Sequence, residues 1–560
     1  MTIVEVDLND IRELVGEPVA IDELERVLFD YGMELEECRG NELCIDITPD
    51  RPDMLSKYGL CRALKNYLGI DGGITLHSTE KSDIEIAVSP DIAAIRPYIA
   101  AALVKNLCID DDIIKELITV QEKLHATFCR RRKIAAIGLY PYHKIRPPIS
   151  YYAEDPADIV FRPLGSNTEM TGYEILQKHE TGQEYRFLLE GQDKYPLLVD
   201  REGQVLSMPP IINSEDVGHV ESGTRDIFIE VTGTNLMRIR HVLNMLSAMF
   251  AEMGGVLYTA TVNYGHTSYS TPDAAPTRRE LDIRNVQRVL GLELSIRELS
   301  ELLARMGYGI DGVEQTAITV LVPYYRADVL HEVDIIDDIA RAYGLNNMHA
   351  ALPVVDTVGG VLQKTKVVNF LREALVGLGF VESFTLALSN VESQYGNMNL
   401  ESADVISIPN AKSSEMNIVR TWLIPELIRC VKSNEHHSHP IKLFEISDVC
   451  ARDNSTDTGY VNVKNLAVLI YNTRVTFTDI KQVLDFVMRM LDETYELKRT
   501  YHRSFIDGRV GDVISGSGKE KRGIIGELHP EVLKRWRLKN PVSCFEIGLE
   551  GSNNHRGSRG

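Results

Sequence analysis

Apolar side chains recur along this chain with two periods. Spacings of three and four mark helices: Ile21, Leu24 and Leu28 before Gly32, and Ile296, Leu299, Leu302, Leu303 and Met306 before Gly307. The same spacing places Ile239, Val242, Leu243, Leu246, Met249, Phe250 and Met253 on one helix face, with Asn235 as its cap and Gly254-Gly255 as its stop. Further on, Val367, Phe370, Leu371, Leu375 and Leu378 predict one more long helix. Alternating or continuous apolar runs predict strands at Leu43 to Thr48, Ile134 to Tyr140, Val405 to Ile408, Leu443 to Ile446, Leu466 to Tyr471 and Gly523 to Glu527. After Pro353 the pattern is that of a mainly antiparallel sheet with flanking helices.

The pattern also repeats. Residues 21 to 70 align without a gap on residues 296 to 345, an offset of 275 from 21 to 296. Arg51, Asp53, Leu55 and Gly69 fall on Arg326, Asp328, Leu330 and Gly344, so one small module occurs twice. The division that follows is 1–80 for the first copy, 85–265 for a longer mixed region, 270–352 for the second copy, 353–550 for the antiparallel region and 551–560 for a polar, glycine-rich tail. In the second copy, VPYYRADVLHEVDIIDDIARAYGL reads as a strand, a turn and a helix that Asp328 caps, with Leu330, Ile335, Ile339 and Ala342 inward. Asp334, Asp337 and Asp338 stand at i, i+3 and i+4, a spacing that aims three carboxylates at one point and suits a hard cation with oxygen ligands. The first copy has Gly59, Arg62 and Ala63 there, so the module folds without the triplet. A solvated acidic face is the plainer explanation of such a triplet.

Composition narrows the class. At 560 residues, with 44% hydrophobic and 25% charged, the chain has the make-up of a soluble multidomain protein. No apolar run approaches the ~20 residues of a membrane helix, and the first residues lack a basic, apolar signal. Eight cysteines without a CxxC suggest neither zinc nor a disulfide framework, and a reduced, cytosolic compartment fits. The net charge of −21 excludes sequence-blind nucleic-acid binding by the chain as a whole, so any RNA contact is local or shared.

Candidate chemistry is sparse. Glu230, Thr232 and Thr234 gather where a strand meets a helix N-terminus, a position that suits a pocket rim. The basic run Arg130 to Lys133 reads as a wet turn, and GSGKEK at Gly516 to Lys521 as a glycine-rich hairpin, because it misses the phosphate-loop spacing.

Seven segments carry a resemblance: ITPDRPDMLSKYGLCRAL, LSMPPIINSED, FIEVTGTN, PYYRADVLHEVDIIDDIARAYG, VRTWLIPELI, LFEISDV and IIGELHPEVL. In this order they resemble the beta subunit of phenylalanyl-tRNA synthetase of the archaeal and eukaryotic-cytoplasmic type. The resemblance implies an α+β multidomain fold, with a duplicated α/β module, an editing domain over 85–265 and a catalytically inactive class II synthetase-like sheet. It implies a partner alpha subunit that carries the aminoacylation site, in a tetramer of two alpha and two beta chains acting on tRNA(Phe) with ATP. No aminoacylation residue is expected here: Leu443 stands where class II sites place an arginine two positions before the glutamate, here Glu445. The family's Mg2+ ligands match Asp328, Asp334, Asp337 and Asp338, Asp337 replacing the usual glutamate and Asp328 having its twin in Asp53. The editing positions, for hydrolysis of mischarged tyrosine, match Leu198, Ser207, Glu230 and Thr232, with Glu230 expected to take the tyrosine hydroxyl. The competing expectations are a non-catalytic scaffold or RNA-binding protein built from the same modules and, less favoured because of the repeat, an independent metal-dependent hydrolase.

Overall fold

Two stretches of this chain, 275 positions apart from Ile21 to Ile296, adopt the same arrangement of elements. The computed structural model describes residues 3–401, 405–516 and 520–549. In the first stretch the helices are Leu8–Val15, Ile21–Tyr31 and Lys57–Leu68; in the second they are Ile283–Leu290, Ile296–Arg305 and Glu332–Tyr343. Each stretch has a three-stranded antiparallel sheet with the last strand in the middle: Ile3–Asp7, Glu42–Asp46, Glu34–Arg39 in one and Thr277–Asp282, Ala317–Val322, Gly309–Val313 in the other. The capping box at Ser295 forms, its hydroxyl and the Glu298 carboxylate each satisfying a backbone N–H at the helix start.

The two modules touch. Tyr67 Oη donates to the Arg341 carbonyl at 3.2 Å, and Arg341 donates to the Tyr31 carbonyl at 3.3 Å. Arg62, at the place Asp337 holds in the other copy, lies 3.7 Å above the Tyr325 ring and also donates to Asp53. The duplicated pair is therefore joined by arginines stacked and hydrogen-bonded against the partner module.

Between the copies lies a ten-stranded mixed sheet. Its path runs Ile212–Asn213, Val205–Met208, Tyr195–Val199, Ile149–Glu154, Thr79–Val88, Val256–Asn263, Tyr98–Lys105, Ile227–Gly233 and Ala135–Pro141, with Ser268–Thr271 paired to Val256–Asn263. Alternation along Ile227–Gly233 sorts its side chains: Ile227, Ile229 and Val231 join the core that includes helices Asp111–Ala126 and Leu236–Glu252, and Phe228 joins the opposite core. Asn235 caps the second helix by accepting from the Arg238 N–H at 3.0 Å. The sheet curls until its two ends meet, and Tyr140 Oη on the last strand lies 3.2 Å from Asn213 Oδ1 on the first.

These elements belong to a compact unit, Met1–Leu352; a second unit spans Pro353–Gly560. The second unit has a seven-stranded sheet in the order Val381–Glu382, Ile441–Arg452, Tyr460–Tyr471, Val542–Gly548, Lys521–Leu528, Phe505–Ser515, Tyr495–Arg499. All its pairings are antiparallel except the first. Phe444, Leu466 and Val468 pack with Leu371, Leu375 and Ile480 of helices Gln363–Gly377 and Phe477–Met490. Leu443, Ala467 and Leu469 pack on the other face with Leu427 and Val532 of helices Ile424–Ser433 and Pro530–Arg535.

Some expectations change. Val405 to Ile408 is not a strand; Ser407 forms one isolated bridge to Ile418, flanked by the Ile408 N–H on the Asn417 carbonyl and the Val419 N–H on the Ile406 carbonyl. Phe370 is 47% exposed and not part of its helix's buried stripe, which Leu371 and Leu375 form. The acidic helix begins at Glu332 with His331 as its cap, so Asp328 caps nothing and Leu330, outside the helix, is 59% exposed. The tail 551–560 and part of the GSGKEK stretch lie outside the described residues.

Candidate functional site

Edge strands leave backbone groups to be satisfied from outside the sheet. On Ala135–Pro141 the N–H of Ile137 donates to His125 Nε2 at 2.9 Å, and the Ile137 carbonyl accepts from Gln121 Nε2 at 3.0 Å. Helix Asp111–Ala126 thus seals this edge with side chains. Arg132 closes the seam to the opposite end of the sheet by donating to the Ile211 carbonyl at 2.8 Å, and its guanidinium lies 4.1 Å from the Tyr185 ring. The run read as a wet turn therefore contributes a wall residue; Arg130, Arg131 and Arg132 take φ of 50°, 53° and 60°, a left-handed turn that L side chains rarely adopt.

At this seam lies a cavity of about 280 Å³, with Glu122, His125, Arg132, Ser207, Asn213 and Glu230 in its polar wall. Glu230 is 3% exposed. Its Oε1 accepts from Tyr140 Oη at 3.2 Å, and its Oε2 is buried without a partner. Burial pushes the carboxyl up to about 7, against the nearby Arg96 charge and the Tyr140 hydrogen bond, both of which favour the anion. Ser207 Oγ is likewise buried, beside the Tyr140 hydroxyl with which it interacts. A buried carboxylate oxygen without a partner in a cavity wall, with a serine hydroxyl near it, suits a ligand that carries a hydroxyl.

The expected editing residues divide. Ser207 and Glu230 line the cavity. Leu198 pairs in register with Ser207 and packs in the apolar core beside it, and Thr232 lies outside the wall. Thr232 instead holds Arg96, whose Nε donates to its hydroxyl at 3.0 Å and whose Nη2 donates to its carbonyl at 2.7 Å. Sequence reasoning missed Tyr140, Asn213, His125 and Gly138. Gly138 stands opposite Glu230 in register, and a Cβ there would meet Glu230 Oε1 at 2.5 Å and clash with the Tyr140 hydroxyl. The glycine inside a strand pattern in IAAIGLYP was its signal, because such a glycine often marks a close approach.

Of the four acidic residues of the second module, Asp328 and Asp338 meet on one guanidinium nitrogen, Arg326 Nη2, while Asp334 and Asp337 turn elsewhere. Asp334 Oδ2 turns back to accept the N–H groups of Leu330 at 2.8 Å and His331 at 2.7 Å. Asp337 points outward to Arg341 at 2.9 Å, and Asp338 inward, where it accepts from Arg326 at 2.7 Å and Tyr308 Oη at 2.6 Å. Asp328 takes Arg326 through both oxygens at 2.8 and 2.6 Å, and Asp53 takes Arg51 the same way at 2.9 and 2.9 Å. The fork between an arginine and the aspartate two residues on is the shared architecture of the repeat. A helix turns about 100° per residue, so Asp337 and Asp338 diverge, and Asp334 in the first turn is drawn to free N–H groups. As arranged, the carboxylates do not fit a magnesium ion, and among the described residues no group of three or more His, Cys, Asp or Glu could hold a metal.

In the second unit Glu445 is wholly buried, its two oxygens taken by Arg420 at 2.9 Å and Thr385 Oγ1 at 2.7 Å. Among the described residues no helix is long and apolar enough to cross a membrane.

Comparisons with known proteins agree with one another. Residues 279–345 match the family model described as the tRNA synthetase B5 domain, and residues 348–549 the one described as the phenylalanyl tRNA synthetase beta chain CLM domain. The phenylalanine–tRNA ligase beta subunit of Thermococcus sibiricus is 38% identical over 550 residues, covering 97% of this chain and 98% of the relative. That of Pyrococcus furiosus is 37% identical over 551 residues, covering 98% and 99%. A crystal structure of an N-terminal fragment of the phenylalanyl-tRNA synthetase beta-subunit from Pyrococcus horikoshii superposes with a TM-score of 0.59 at 37% identity, covering 61% of this chain and 99% of the fragment.

Proposed function

The chain belongs to the family of phenylalanine–tRNA ligase beta subunits, and from that premise we propose that its cavity at Glu230 hydrolyses tyrosine wrongly joined to tRNA(Phe). The ligase reaction itself, joining phenylalanine to tRNA(Phe) with ATP in the cytoplasm, takes place on an alpha chain with which this chain assembles in a tetramer of two alpha and two beta chains. The second unit supports that division of labour: its sheet is read as class II synthetase-like, with Leu443 where an ATP-gripping arginine is expected and Glu445 already occupied by Arg420 and Thr385.

The observation that carries the editing reading is the unpartnered Oε2 of buried Glu230, in a cavity wall that it shares with Ser207. An apolar pocket rejects an added hydroxyl only ~100-fold, so a ligase selecting phenylalanine leaks tyrosine. A second site built around that hydroxyl reverses the preference. The tyrosine phenol satisfies Glu230, whereas the phenylalanine ring would leave the carboxyl buried and unpaired. Leu198 fixes the strand that presents Ser207, and Thr232 positions Arg96. Magnesium has no part in this scheme, since Asp328, Asp334, Asp337 and Asp338 each meet donors of the chain itself.

The experiment is to purify this chain with a competent alpha chain and assay phenylalanine charging and tyrosyl-tRNA deacylation. Both activities are expected. Charging without deacylation would remove the editing role, and no charging at all would remove the ligase assignment.

A further inference from the structure

One group in the cavity wall has no role so far. His125 is 2% exposed, and the Ile137 N–H donates to its Nε2 at 2.9 Å. A neutral imidazole that accepts through Nε2 carries its proton on Nδ1. Burial pushes the ring down to about 4, with Glu122 working against that, so the neutral form is the one present at cellular pH. Nδ1 is buried with no hydrogen-bond partner. The nearest carboxylate oxygen, Glu122 Oε1, lies 3.5 Å away and accepts from Arg132 Nη2 at 3.1 Å. The cavity wall therefore includes a histidine of fixed tautomer, its ring orientation locked by the sheet edge and its Nδ1–H shared with no acceptor closer than Glu122 Oε1.

We infer that His125 is a catalytic residue of the hydrolysis, its Nδ1–H donating a hydrogen bond to the ester carbonyl oxygen of the aminoacyl-tRNA as that carbon becomes tetrahedral. The inference rests on the editing reading and gives a part to a wall residue that the reading leaves without one. A water oxygen bonds to the carbonyl carbon, and the π pair moves onto the carbonyl oxygen, where the imidazole N–H meets it. Collapse restores the carbonyl and breaks the bond to the ribose oxygen, which takes a proton from the attacking water. Free tyrosine and tRNA with its hydroxyl restored are the products. The imidazole is not the base, because its only lone pair on a ring nitrogen is held by Ile137 N–H. A preorganised donor of this kind acts where negative charge develops, and losing one costs about 10²-fold or more in rate.

Two variants separate catalysis from support of the fold. In His125→Gln the side-chain oxygen reaches the Nε2 position and still accepts from Ile137 N–H, but the donor at Nδ1 is gone. In His125→Asn the amide nitrogen replaces Nδ1 and keeps a donor. With the alpha–beta complex, His125→Gln is expected to lower kcat for tyrosyl-tRNA deacylation about 10²-fold. KM, phenylalanine charging and the unfolding temperature should stay unchanged, and His125→Asn should recover part of the rate. Full kcat in His125→Gln overturns the inference, as does a rate loss in both variants that tracks a fall in unfolding temperature. A wild-type complex that charges but does not deacylate would instead overturn the editing reading beneath it.

Discussion

The hydroxyl of Tyr140 donates to Glu230 Oε1 across 3.2 Å, joining the last strand of the curled sheet to its neighbour, while Glu230 Oε2 remains buried without a partner. This pairing orients one oxygen of an acid and leaves the other for a ligand. It also makes stability depend on pH. The folded value is about 7 and the ordinary value 4.5, so between them the folded protein holds a proton that the unfolded chain has lost. Stability from this group is whole below about 4.5 and is lost as pH rises through 7.

The Glu230→Gln variant removes that titration. Its unfolding temperature relative to wild type is expected to be lowest near pH 5 and to rise toward pH 8, a relative gain of order 1–3 kcal/mol. Thermal melts of the complex across that range measure it. The difference between the two proteins isolates Glu230 from Glu546, another buried glutamate raised to about 7.

Gly138→Ala tests the close approach. The new Cβ would press on Glu230 Oε1 at 2.5 Å and on the Tyr140 hydroxyl. Overpacking of this kind costs about 1–3 kcal/mol. A lower unfolding temperature and weaker tyrosyl-tRNA deacylation are expected, with phenylalanine charging retained.

The acidic helix of the second module gives a ranking. Asp338→Asn strips buried Arg326 of one of its two carboxylates and is expected to cost most of the three, about 1–3 kcal/mol, since the fork to Asp328 remains. Asp334→Ala loses a cap, about 1 kcal/mol, and Asp337→Ala, whose side chain is 61% exposed, costs least. Dialysis against a chelator should leave the unfolding temperature unchanged. Equal losses at all three positions, or a fall on chelation reversed by magnesium, would show that the carboxylates act together.

Much of this architecture was legible in the residues, and the limits have physical causes. The offset repeat placed four helices because a register without gaps preserves the apolar stripe, the Gly32 and Gly307 stops and the arginine-aspartate pair, whereas Leu8–Val15 and Ile283–Leu290 lie outside the aligned residues. The same spacing misread Asp334, Asp337 and Asp338, since periodicity gives a direction around a helix but not the competing donors, here Arg326, Arg341 and the free N–H groups of the first turn. Glu230 stood out at a strand end as a pocket-rim residue and took its role from the resemblance, and Ser207 was found through the resemblance alone. His125, Gly138 and Tyr140 were not, because the strand IAAIGLYP reads as plain core, and only its place beside Glu230 and against the helix gives those residues meaning.

The account turns on Glu230 telling tyrosine from phenylalanine. Single-turnover deacylation of tyrosyl-tRNA(Phe) and phenylalanyl-tRNA(Phe) by the complex, wild type against Glu230→Ala, measures that choice directly. The wild type should hydrolyse the tyrosyl ester far faster, and the variant should lose most of that preference. An unchanged ratio of the two rates would contradict it.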